Sequence, residues 1–387
     1  MRPTLYRGTG EHIPYDTYMA LINEVFGFDG AERDFRTLLP KLYRPGRAPQ
    51  DQNYVVCEDG VPVAAIGAYS HAIRVCGNVI PCRGIGNVAV AKTARGRGYM
   101  KDCMNRALSD MVEDGVALST LGGRRQRYRY FGYEKAGVCY TFSVAADNLR
   151  HTLGDMQQPA WEIRQVGEQD TAAPAVIRRL SESGSYVPIR PEADLFDILS
   201  NWKATVWVAL REGNPVGYLL REPSGLISEL RIAEPADLLP LLTACLRTWE
   251  SGGLTLRLPE HEDELIRRLA TVAEGCQVGC SMSYCVLQYK TVCEAFFALK
   301  ATYAPPADGD LSLHIHGLGG EERLCLSARG GVPSVRELSS DESAQELSHE
   351  EAMRLLFAPL CPERRDLPPA VQTWLPLPIW MYRADEV

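Results

Sequence analysis

The sequence contains no apolar run near the roughly 20 residues that a helix needs to span a bilayer. Its first residues are positively charged, but no apolar stretch follows them as in a secretory signal. A dense basic field over the whole chain is also missing: the formal net charge is −8 at pH 7, which disfavours nucleic acid as the main partner. These absences predict a cytoplasmic protein that binds neither membranes nor nucleic acid.

A metal-binding pattern is missing as well. Cys276 and Cys280 lie close to Cys285, but no histidine stands beside them at the spacing of a zinc site. The 12 cysteines are scattered through apolar segments, as is typical of reduced, buried thiols in a cytosolic protein. We therefore predict no metal.

The most informative segment lies between Asn87 and Leu108. Its β-branched start predicts a strand and its end predicts a helix. The loop between them carries two arginines and two glycines, Arg95, Gly96, Arg97 and Gly98. Unpaired N–H groups and the dipole at a helix start attract anions, glycine lets the backbone approach them, and guanidinium groups suit phosphate. The segment predicts a phosphate-binding loop; an exposed basic turn is the alternative.

Two segments resemble parts of the GCN5-related N-acetyltransferases (GNATs). Arg-Gly-Arg-Gly-Tyr-Met at 95–100 is similar to the Arg/Gln-x-x-Gly-x-Gly/Ala signature that binds the pyrophosphate of acetyl-CoA, although Met100 replaces Gly or Ala. Residues 128–133, Tyr-Arg-Tyr-Phe-Gly-Tyr, look like the Tyr-x-x-Phe-Gly-Phe element that follows the fifth strand. Their order and spacing also fit. The resemblance implies an α/β fold with mixed sheets and acetyl-CoA as cosubstrate.

The chain also contains an internal echo. The hairpins predicted at 54–67 and 207–219 share an acidic-Gly turn and a Pro-Val pair that opens the second strand. After the later hairpin, the strand–helix junction has no glycine and carries Glu234 and Asp237, which would repel a phosphate. We predict a second GNAT-like domain that has lost cofactor binding; an unrelated α/β domain is the alternative.

A third region shows strands at 311–316 and 323–327 and then a helix, with Ser348 and Glu351 spaced as a capping box. This pattern resembles the sterol carrier protein fold. The three-part order is similar to that of the Eis (enhanced intracellular survival) family, and 387 residues suggest two or three domains. The predicted domains are 1–147, 148–288 and 289–387, with a linker at 145–160.

The resemblance assigns roles to particular residues. The pantetheine arm of acetyl-CoA would pair with a strand made of Val88, Ala89 and Val90. The pyrophosphate would meet the backbone of Arg95, Gly96, Arg97, Gly98, Tyr99 and Met100. Tyr128 would be the general acid, because a phenol with a pKa of about 10 is protonated at neutral pH. Tyr130 competes with it, since alternation along an extended segment would point both tyrosines the same way.

The C-terminal stretch is apolar and rich in proline and aromatic residues up to its last residue, whereas tails are normally polar and frayed. This pattern indicates a docked terminus. By resemblance to Eis enzymes, the α-carboxylate of Val387 would be the general base in the first domain's active site, and Glu386 or Asp385 would attract a cationic amine. By its resemblance to GNATs, segment 23–29 would fall in the region that shapes the acceptor site. Its candidate acceptor contacts are Glu24, Phe26 and Asp29.

These features predict an acetyl-CoA-dependent N-acetyltransferase that acts on primary amines by direct transfer in a ternary complex. No Ser–His or Cys–His arrangement accompanies the motifs to indicate a covalent intermediate. Resemblance to Eis implies aminoglycoside-, polyamine- or lysine-like acceptors and a homohexamer. Two other classes stay open: a carrier of a lipid or other apolar ligand, and an acyl-CoA-binding sensor without catalysis.

Overall fold

The computed structural model describes residues 4–27, 34–154 and 160–387. Its strands form two sheets, one of 13 strands and one of 4 strands. The strands are β1 (Leu5–Thr9), β2 (Asn53–Glu58), β3 (Val61–Val75), β4 (Asn78–Val90), β5 (Leu118–Leu121), β6 (Glu134–Ala145), β7 (Trp161–Val166), β8 (Tyr186–Ile189), β9 (Thr205–Arg211), β10 (Asn214–Arg221), β11 (Leu226–Ile232), β12 (Gly253–Pro259), β13 (Gly275–Val286), β14 (Gly309–Gly317), β15 (Gly320–Arg329), β16 (Val332–Glu337) and β17 (Gln345–Ser348).

Helices of very different length connect the strands. They are α1 (Tyr15–Phe26), α2 (Phe35–Leu38), α3 (Pro40–Tyr43), α4 (Tyr99–Glu113), α5 (Arg125–Tyr128), α6 (Ala146–Leu153), α7 (Ala173–Ser181), α8 (Leu195–Leu199), α9 (Leu238–Thr248), α10 (Asp263–Ala270), α11 (Tyr289–Tyr303), α12 (His349–Phe357) and α13 (Pro369–Gln372). Within the described ranges, none of them is both long enough and apolar enough to cross a bilayer.

The large sheet is continuous through both halves of the protein. Its strand order is β1-β2-β3-β4-β5-β13-β6-β12-β11-β10-β9-β7, and β8 pairs with the C-terminal end of β3. The pairs β4–β5 and β11–β12 are parallel. A parallel pair needs a crossover connection, and α4 and α9 provide it. The predicted α/β fold with mixed sheets is therefore confirmed.

The two halves of this sheet exchange their last strands. β13 lies between β5 and β6, with residues 283–286 opposite 118–121. β6 in turn pairs with β12 through residues 139–145. Each half is thus completed by a strand from the other half of the chain, which the sequence did not indicate. The domain bounds at 147 and 288 stay a prediction.

β4 and β5 diverge just before the predicted phosphate-binding loop. Their parallel pairing ends at Ile85 and Leu121, whereas β4 continues to Val90 alongside β3. Asn87 has a φ of 39° where the β3–β4 register shifts, which marks a bulge. The last residues of β4 are therefore unpaired on one side, close to the start of α4.

The four-stranded sheet, in the order β16-β15-β14-β17, belongs to the C-terminal region. Its buried side chains, such as Leu313 and Ile315, share one apolar core with α11 and α12. α12 begins with the predicted capping box, in which Ser348 and Glu351 each accept a hydrogen bond from the other's backbone N–H. This prediction is confirmed.

Two local expectations need correction. The stretch 145–160, predicted as a linker, contains helix α6, which contacts α9; residues 155–159 lie outside the described residues. All 12 cysteines are free, as predicted, but Cys276 and Cys280 are exposed on β13 rather than buried.

Buried histidines make the stability of the fold depend on pH. Burial lowers the pKa of His71 to about 4 and also lowers the pKa of His261 and His349. These imidazoles stay neutral in the folded chain but bind a proton near their ordinary pKa of 6.5 when it unfolds. The free energy of unfolding should therefore fall as the pH drops below that value, by about 1.4 kcal/mol at one unit below it for each fully shifted group.

Urea unfolding at neutral and mildly acidic pH measures this loss. His71→Gln removes one of the titrating groups, so the variant should lose less stability on acidification than the parent chain. An identical pH dependence in the two proteins would contradict the assignment to His71.

Candidate active site

A cavity of about 1100 Å³ opens where β4 and β5 diverge. Many predicted site residues line it: Phe26, Val88, Val90, Arg95, Gly96, Gly98, Tyr99, Met100, Tyr128, Glu386 and Val387. Three others do not line it, namely Glu24, Ala89 and Arg97. The Ala89 side chain is buried in the core beside α1, so Ala89 can offer only its backbone.

The predicted phosphate-binding loop forms one wall of the cavity. Gly96 and Gly98 have φ values of 79° and 84°, in the left-handed region that side chains disfavour. A Cβ at either position would meet no atom within 4 Å, so their backbone is uncovered. Gly98 is the N-cap of α4, and the unpaired N–H groups of the first turn begin there. The conformation of the loop thus explains both glycines.

The charged side chains of this loop have different partners. Arg97 pairs with Glu58, which also accepts a hydrogen bond from the Tyr99 hydroxyl (2.6 Å). The bonds from Tyr99 and Arg97 lower the pKa of Glu58. Because its guanidinium is engaged, Arg97 can offer a ligand its backbone rather than its side chain. Arg95 and Lys101 line the cavity.

Four arginines follow β5, and they also have different partners: Arg124, Arg125, Arg127 and Arg129. Two of them line the cavity, Arg124 and Arg127. Arg125 pairs with the buried Glu134 (2.8 Å), and Arg129 pairs with Glu350 of α12. Arg124 and Arg127 can therefore attract an anion in the cavity, while Arg125 and Arg129 hold the loop against β6 and α12.

Tyr128 lies in a helical turn, not in an extended segment. α5 ends at Tyr128, and a 3₁₀ turn follows at Arg129–Phe131. Tyr128 is 6% exposed and lines the cavity. Tyr130 is 66% exposed, and the centroid of its ring lies 4.9 Å from Lys101 Nζ. The expectation that the two tyrosines point the same way was wrong. Burial raises the pKa of Tyr128, so its phenol is protonated at neutral pH.

Contacts on both sides hold the Tyr128 loop in place. A Cβ on Gly123 would lie 2.4 Å from the Tyr128 ring, so glycine is needed there. On the other side, His349 Nε2 lies 2.8 Å from the Gly132 carbonyl, and the Tyr289 hydroxyl lies 3.0 Å from His349 Nδ1. Since a carbonyl only accepts, we assign the His349 proton to Nε2; the Tyr289 hydroxyl can then donate to Nδ1 or to the His349 carbonyl oxygen, which lies 3.1 Å from it. The C-terminal region thus supports the loop.

A buried polar network fixes the bulge at Asn87, which also lines the cavity. Its Oδ1 accepts hydrogen bonds from the hydroxyls of Tyr43 and Tyr69, both at 2.8 Å. Its Nδ2 donates to Asn53 (2.8 Å), whose own Nδ2 donates to the Tyr69 hydroxyl (3.0 Å). Burial raises the pKa of both phenols, so they remain donors. The network stabilises the positive φ at the open end of β4.

Val387 lies against two glycines of β4. A Cβ on Gly84 would lie 2.5 Å from Val387 Cγ2, and a Cβ on Gly86 would lie 3.3 Å from its carboxyl carbon. Glycine at these positions permits the close approach of the two backbones. The last residue of the sequence is therefore in contact with the strand that forms the cavity wall.

Hydrogen bonds from other parts of the chain hold the terminal segment. The Ala384 carbonyl accepts from Lys41 Nζ (3.1 Å) and Asn201 Nδ2 (2.7 Å). Trp202 donates from Nε1 to the Arg383 carbonyl (3.0 Å) and has a φ of 60°, a strained conformation of the kind that occurs at functional sites. Burial lowers the pKa of Lys41 to about 8.

A buried ion triad anchors the same segment to the second half of the protein. Arg190 lies 2.8 Å from Glu229 and 2.7 Å from Asp385, and the three side chains are 10% exposed or less. Burial opposes ionisation of Asp385, but Arg190 outweighs it and lowers the pKa of this carboxyl. Burial raises the pKa of Glu386, although Arg383 pairs with it. Asp385 is therefore committed to Arg190.

The remaining described wall of the cavity is apolar. It consists of Val25, Phe26, Phe35, Leu38, Leu39 and Trp202. Glu24, predicted as an acceptor contact, is exposed on α1 and does not reach the cavity. Asp29 lies outside the described residues. Within the described lining, Glu386 supplies the acidic side chain, and Val387, the last residue of the sequence, lies beside it.

Several lining residues were not predicted from the sequence: Phe35, Leu38, Leu39, Gly86, Asn87, Trp202 and Arg383. Trp202 carries no local signal, because its place depends on long-range contacts with the C-terminal segment. Gly86 and Asn87 did carry one. Glycine and asparagine inside an otherwise apolar strand indicate a bulge or a close backbone approach.

Residues 12–136 match the family model of an acetyltransferase (GNAT) domain. Among solved structures, a GCN5-related N-acetyltransferase from Kribbella flavida is 20% identical, with a TM-score of 0.68 over 97% of this chain and 96% of that chain. Eis1 from Mycobacterium abscessus is 14% identical, with a TM-score of 0.59 over 90% and 88% of the two chains. A comparison with curated proteins finds no match.

The matched region contains β2 to β5, the glycine loop and the Tyr128 element. This part of the chain therefore corresponds to a GNAT-type acetyltransferase domain. The fold of the chain corresponds to that of Eis1 over most of both chains.

Proposed function

We propose that this protein transfers the acetyl group of acetyl-CoA to a primary amine, by direct transfer in a ternary complex. The observation that carries the proposal is the presence, around one cavity, of the glycine loop at α4, the buried phenol of Tyr128 and the terminal residue Val387. The loop suits a pyrophosphate, the phenol suits a departing thiolate, and the carboxylate suits an amine proton.

Acetyl-CoA would be bound largely by backbone groups. The open edge of β4 offers the N–H groups of Val88 and Val90 to the pantetheine arm, and residues 95–100 offer theirs to the pyrophosphate. Positive side chains that line the cavity would add to the attraction: Arg95, Lys101, Arg124 and Arg127. Met100 also lines it, so the side chain that departs from the GNAT signature would contact the cosubstrate.

The reaction requires one proton to be removed and another to be supplied. The amine nitrogen attacks the thioester carbon, an amide bond forms and the C–S bond breaks. The α-carboxylate of Val387 accepts the amine's proton, directly or through water, and Tyr128 protonates the departing thiolate. A backbone N–H of β4 stabilises the negative charge on the carbonyl oxygen.

The described lining also bears on the acceptor. Its apolar wall, from Val25 to Leu39 with Trp202, would contact an apolar part of the acceptor, while Val387 and Glu386 lie on the side that receives the amine. An amine on a partly apolar body fits this combination. Aminoglycoside-, polyamine- and lysine-like amines, which the resemblance to Eis implies, are the other classes to compare with it.

The two non-catalytic alternatives have less support. An acyl-CoA sensor would not need a buried phenol and a chain terminus at the same cavity. A lipid carrier would need an apolar tunnel in the C-terminal region, where the inward side chains of β14 and β15 pack against α11 and α12, with Leu313 and Ile315 at 0% exposure.

The second half of the protein fits a GNAT-like domain without a cofactor site. β9 to β12 repeat the pairing of β2 to β5, which is antiparallel twice and then parallel. Before α9, Asp237 is buried and pairs with Arg211 (2.6 Å), so a carboxylate occupies the position that corresponds to the phosphate loop. The same proposal includes domain bounds at 147 and 288 and a sterol-carrier-like C-terminal domain. It also includes a cytoplasmic location and a homohexamer.

A screen of amines with acetyl-CoA, read by mass spectrometry for acetylated products, tests this function. The panel contains kanamycin-like compounds, polyamines, lysine peptides and arylalkyl amines.

We expect Gly98→Val to weaken acetyl-CoA binding at least tenfold in calorimetry, because a β-branched residue at this φ is strained by roughly 1–3 kcal/mol and would cover the loop's N–H groups.

Gly77→Val is the matched control. Gly77 has a similar φ of 87° and an equally open Cβ position, but it lies in the β3–β4 turn and does not line the cavity. It should bind acetyl-CoA like the parent chain. If the parent chain binds no acetyl-CoA and acetylates no amine, the proposed function is wrong.

A further inference from the structure

A second group of chemically reactive side chains lies on the four-stranded sheet, outside the cavity. β14 alternates buried Leu311, Leu313 and Ile315 with outward residues. The outward set includes His314 and His316, which lie two residues apart and therefore share one face. Their cross-strand neighbours are carboxylates: His316 faces Glu321 on β15, and His314 faces Glu346 on β17. Two imidazoles and two carboxylates thus meet on a rigid surface.

The contacts of Glu346 identify the protonated nitrogens. One of its oxygens lies 2.8 Å from His314 Nδ1, and the other lies 2.7 Å from His316 Nε2. A carboxylate only accepts hydrogen bonds, so each of these nitrogens carries a proton. In a neutral imidazole the other nitrogen is then a bare lone pair. Glu346 therefore favours a free Nε2 on His314 and a free Nδ1 on His316, and Arg323 opposes this preference at His314.

The two free nitrogens both face Glu321. His314 Nε2 lies 3.4 Å from one Glu321 oxygen, and His316 Nδ1 lies 3.2 Å from the other. One donor atom from each of these three residues lies within 4.8 Å of the others. When both imidazoles are neutral, lone pairs face a negative carboxylate, and a cation among them would remove the repulsion.

We propose that His314, His316 and Glu321 bind one divalent transition-metal ion on the outer face of the C-terminal sheet, with Glu346 orienting both imidazoles. Two neutral nitrogens and a carboxylate are the donor set of Zn²⁺ and its first-row neighbours, whereas Mg²⁺ and Ca²⁺ prefer oxygen. A carboxylate behind each metal-bound imidazole is the usual outer-shell partner. The side chains of His316 and Glu321 are about half and two-thirds exposed, so an ion can reach them from solvent.

Arg323 is the one cation in contact with this group among the described residues. Its guanidinium lies 3.1 Å from His314 Nδ1, the nitrogen that also contacts Glu346, and it is held by the backbone carbonyls of Ser339 and Glu342. It does not contact the nitrogen that faces Glu321. Arg323 therefore competes with Glu346 for the orientation of His314 but leaves the proposed metal position free.

The test is titration of the full chain with Zn²⁺ in a calorimeter and with Co²⁺ in an absorption spectrometer. We expect one ion per chain, bound at least tenfold more weakly by His316→Ala and by Glu321→Gln. Loss of an outer-shell carboxylate typically costs about 10–100-fold in metal affinity, which is the expectation for Glu346→Gln. Thermal unfolding of each variant without metal shows whether it is folded.

His151→Ala is the matched control, because His151 is exposed on α6, far along the chain from the proposed ligands; it should bind like the parent chain. Cys276 and Cys280 are exposed thiols that could also bind Zn²⁺. Co²⁺ bound by thiolates gives charge-transfer absorption, so the double variant Cys276→Ser, Cys280→Ser should keep both the spectrum and the affinity. Equal affinity in the parent chain and His316→Ala, or loss of binding in the cysteine variant, would overturn the proposal.

Discussion

Replacing Tyr128 with phenylalanine is expected to lower the turnover number at least tenfold while the dissociation constant of acetyl-CoA changes little. The change removes one oxygen from a ring that is 6% exposed and packed against Gly123, so the shape of the cavity is kept. General acid catalysis contributes roughly 10²–10⁴-fold in enzymes. Tyr99 is the other phenol in the described lining, but its hydroxyl donates to Glu58 and is not free to replace the acid.

Steady-state kinetics and calorimetry measure the two quantities separately. Tyr130→Phe is the matched control, because Tyr130 lies two residues away, is 66% exposed and does not line the cavity. It should keep the parent turnover number. Unchanged turnover in Tyr128→Phe, or an equal loss in both variants, would show that Tyr128 is not the acid.

The local structure that the sequence predicted correctly depends on neighbouring residues. The glycines of the phosphate loop require a local backbone conformation, and Gly96 and Gly98 do have positive φ values. The Asp-Gly and Glu-Gly hairpins also depend only on local turn chemistry, and β2–β3 and β9–β10 form where they were expected. Such elements can be read from a short window of residues.

The parts that were missed depend on pairing between distant segments. The insertion of β13 between β5 and β6 joins residues more than 130 positions apart, and no local pattern specifies which sheet edge a strand will meet. Trp202 reaches the cavity only because the terminal segment docks beside it. Its contribution could not be predicted from its own neighbours.

Two errors have specific physical reasons. The segment with Tyr128 and Tyr130 was expected to be extended, but Arg125 and Arg129 form ion pairs with Glu134 and Glu350 that accompany a helical turn. Glu24 was a candidate from its position in the sequence alone, yet α1 buries Tyr18, Leu21 and Ile22 and leaves Glu24 on the opposite, exposed face. An amphipathic helix packs its apolar face against the core, so a carboxylate on the other face is exposed to solvent.

Removal of Val387 is expected to lower the turnover number at least a hundredfold without unfolding the protein. The deletion shortens the chain by one residue, so the terminal carboxylate would move by about 3–4 Å along the segment and lose its place against Gly86. A general base contributes roughly 10²–10⁴-fold, and proton transfer needs hydrogen-bond reach. Extending the chain with a C-terminal tag should have the same effect, because it converts the carboxylate to an amide.

The contacts that hold the segment lie before its last residue. Asp385 pairs with Arg190, and the Ala384 carbonyl accepts bonds from Lys41 and Asn201, so a chain that lacks only Val387 keeps these anchors. We therefore expect the same urea midpoint and the same acetyl-CoA affinity as in the parent chain. The expected change is confined to turnover.

Val387→Ala is the matched control for this prediction. It keeps a carboxylate at the same position and removes only the methyl groups that contact Gly84, so turnover should fall by much less than in the deletion. Kinetics of the two variants at saturating acetyl-CoA decide between a chemical and a packing role. If the deletion and Val387→Ala lower turnover equally, the side chain of Val387 matters rather than its carboxylate. If the tagged chain is fully active, another group must accept the amine's proton.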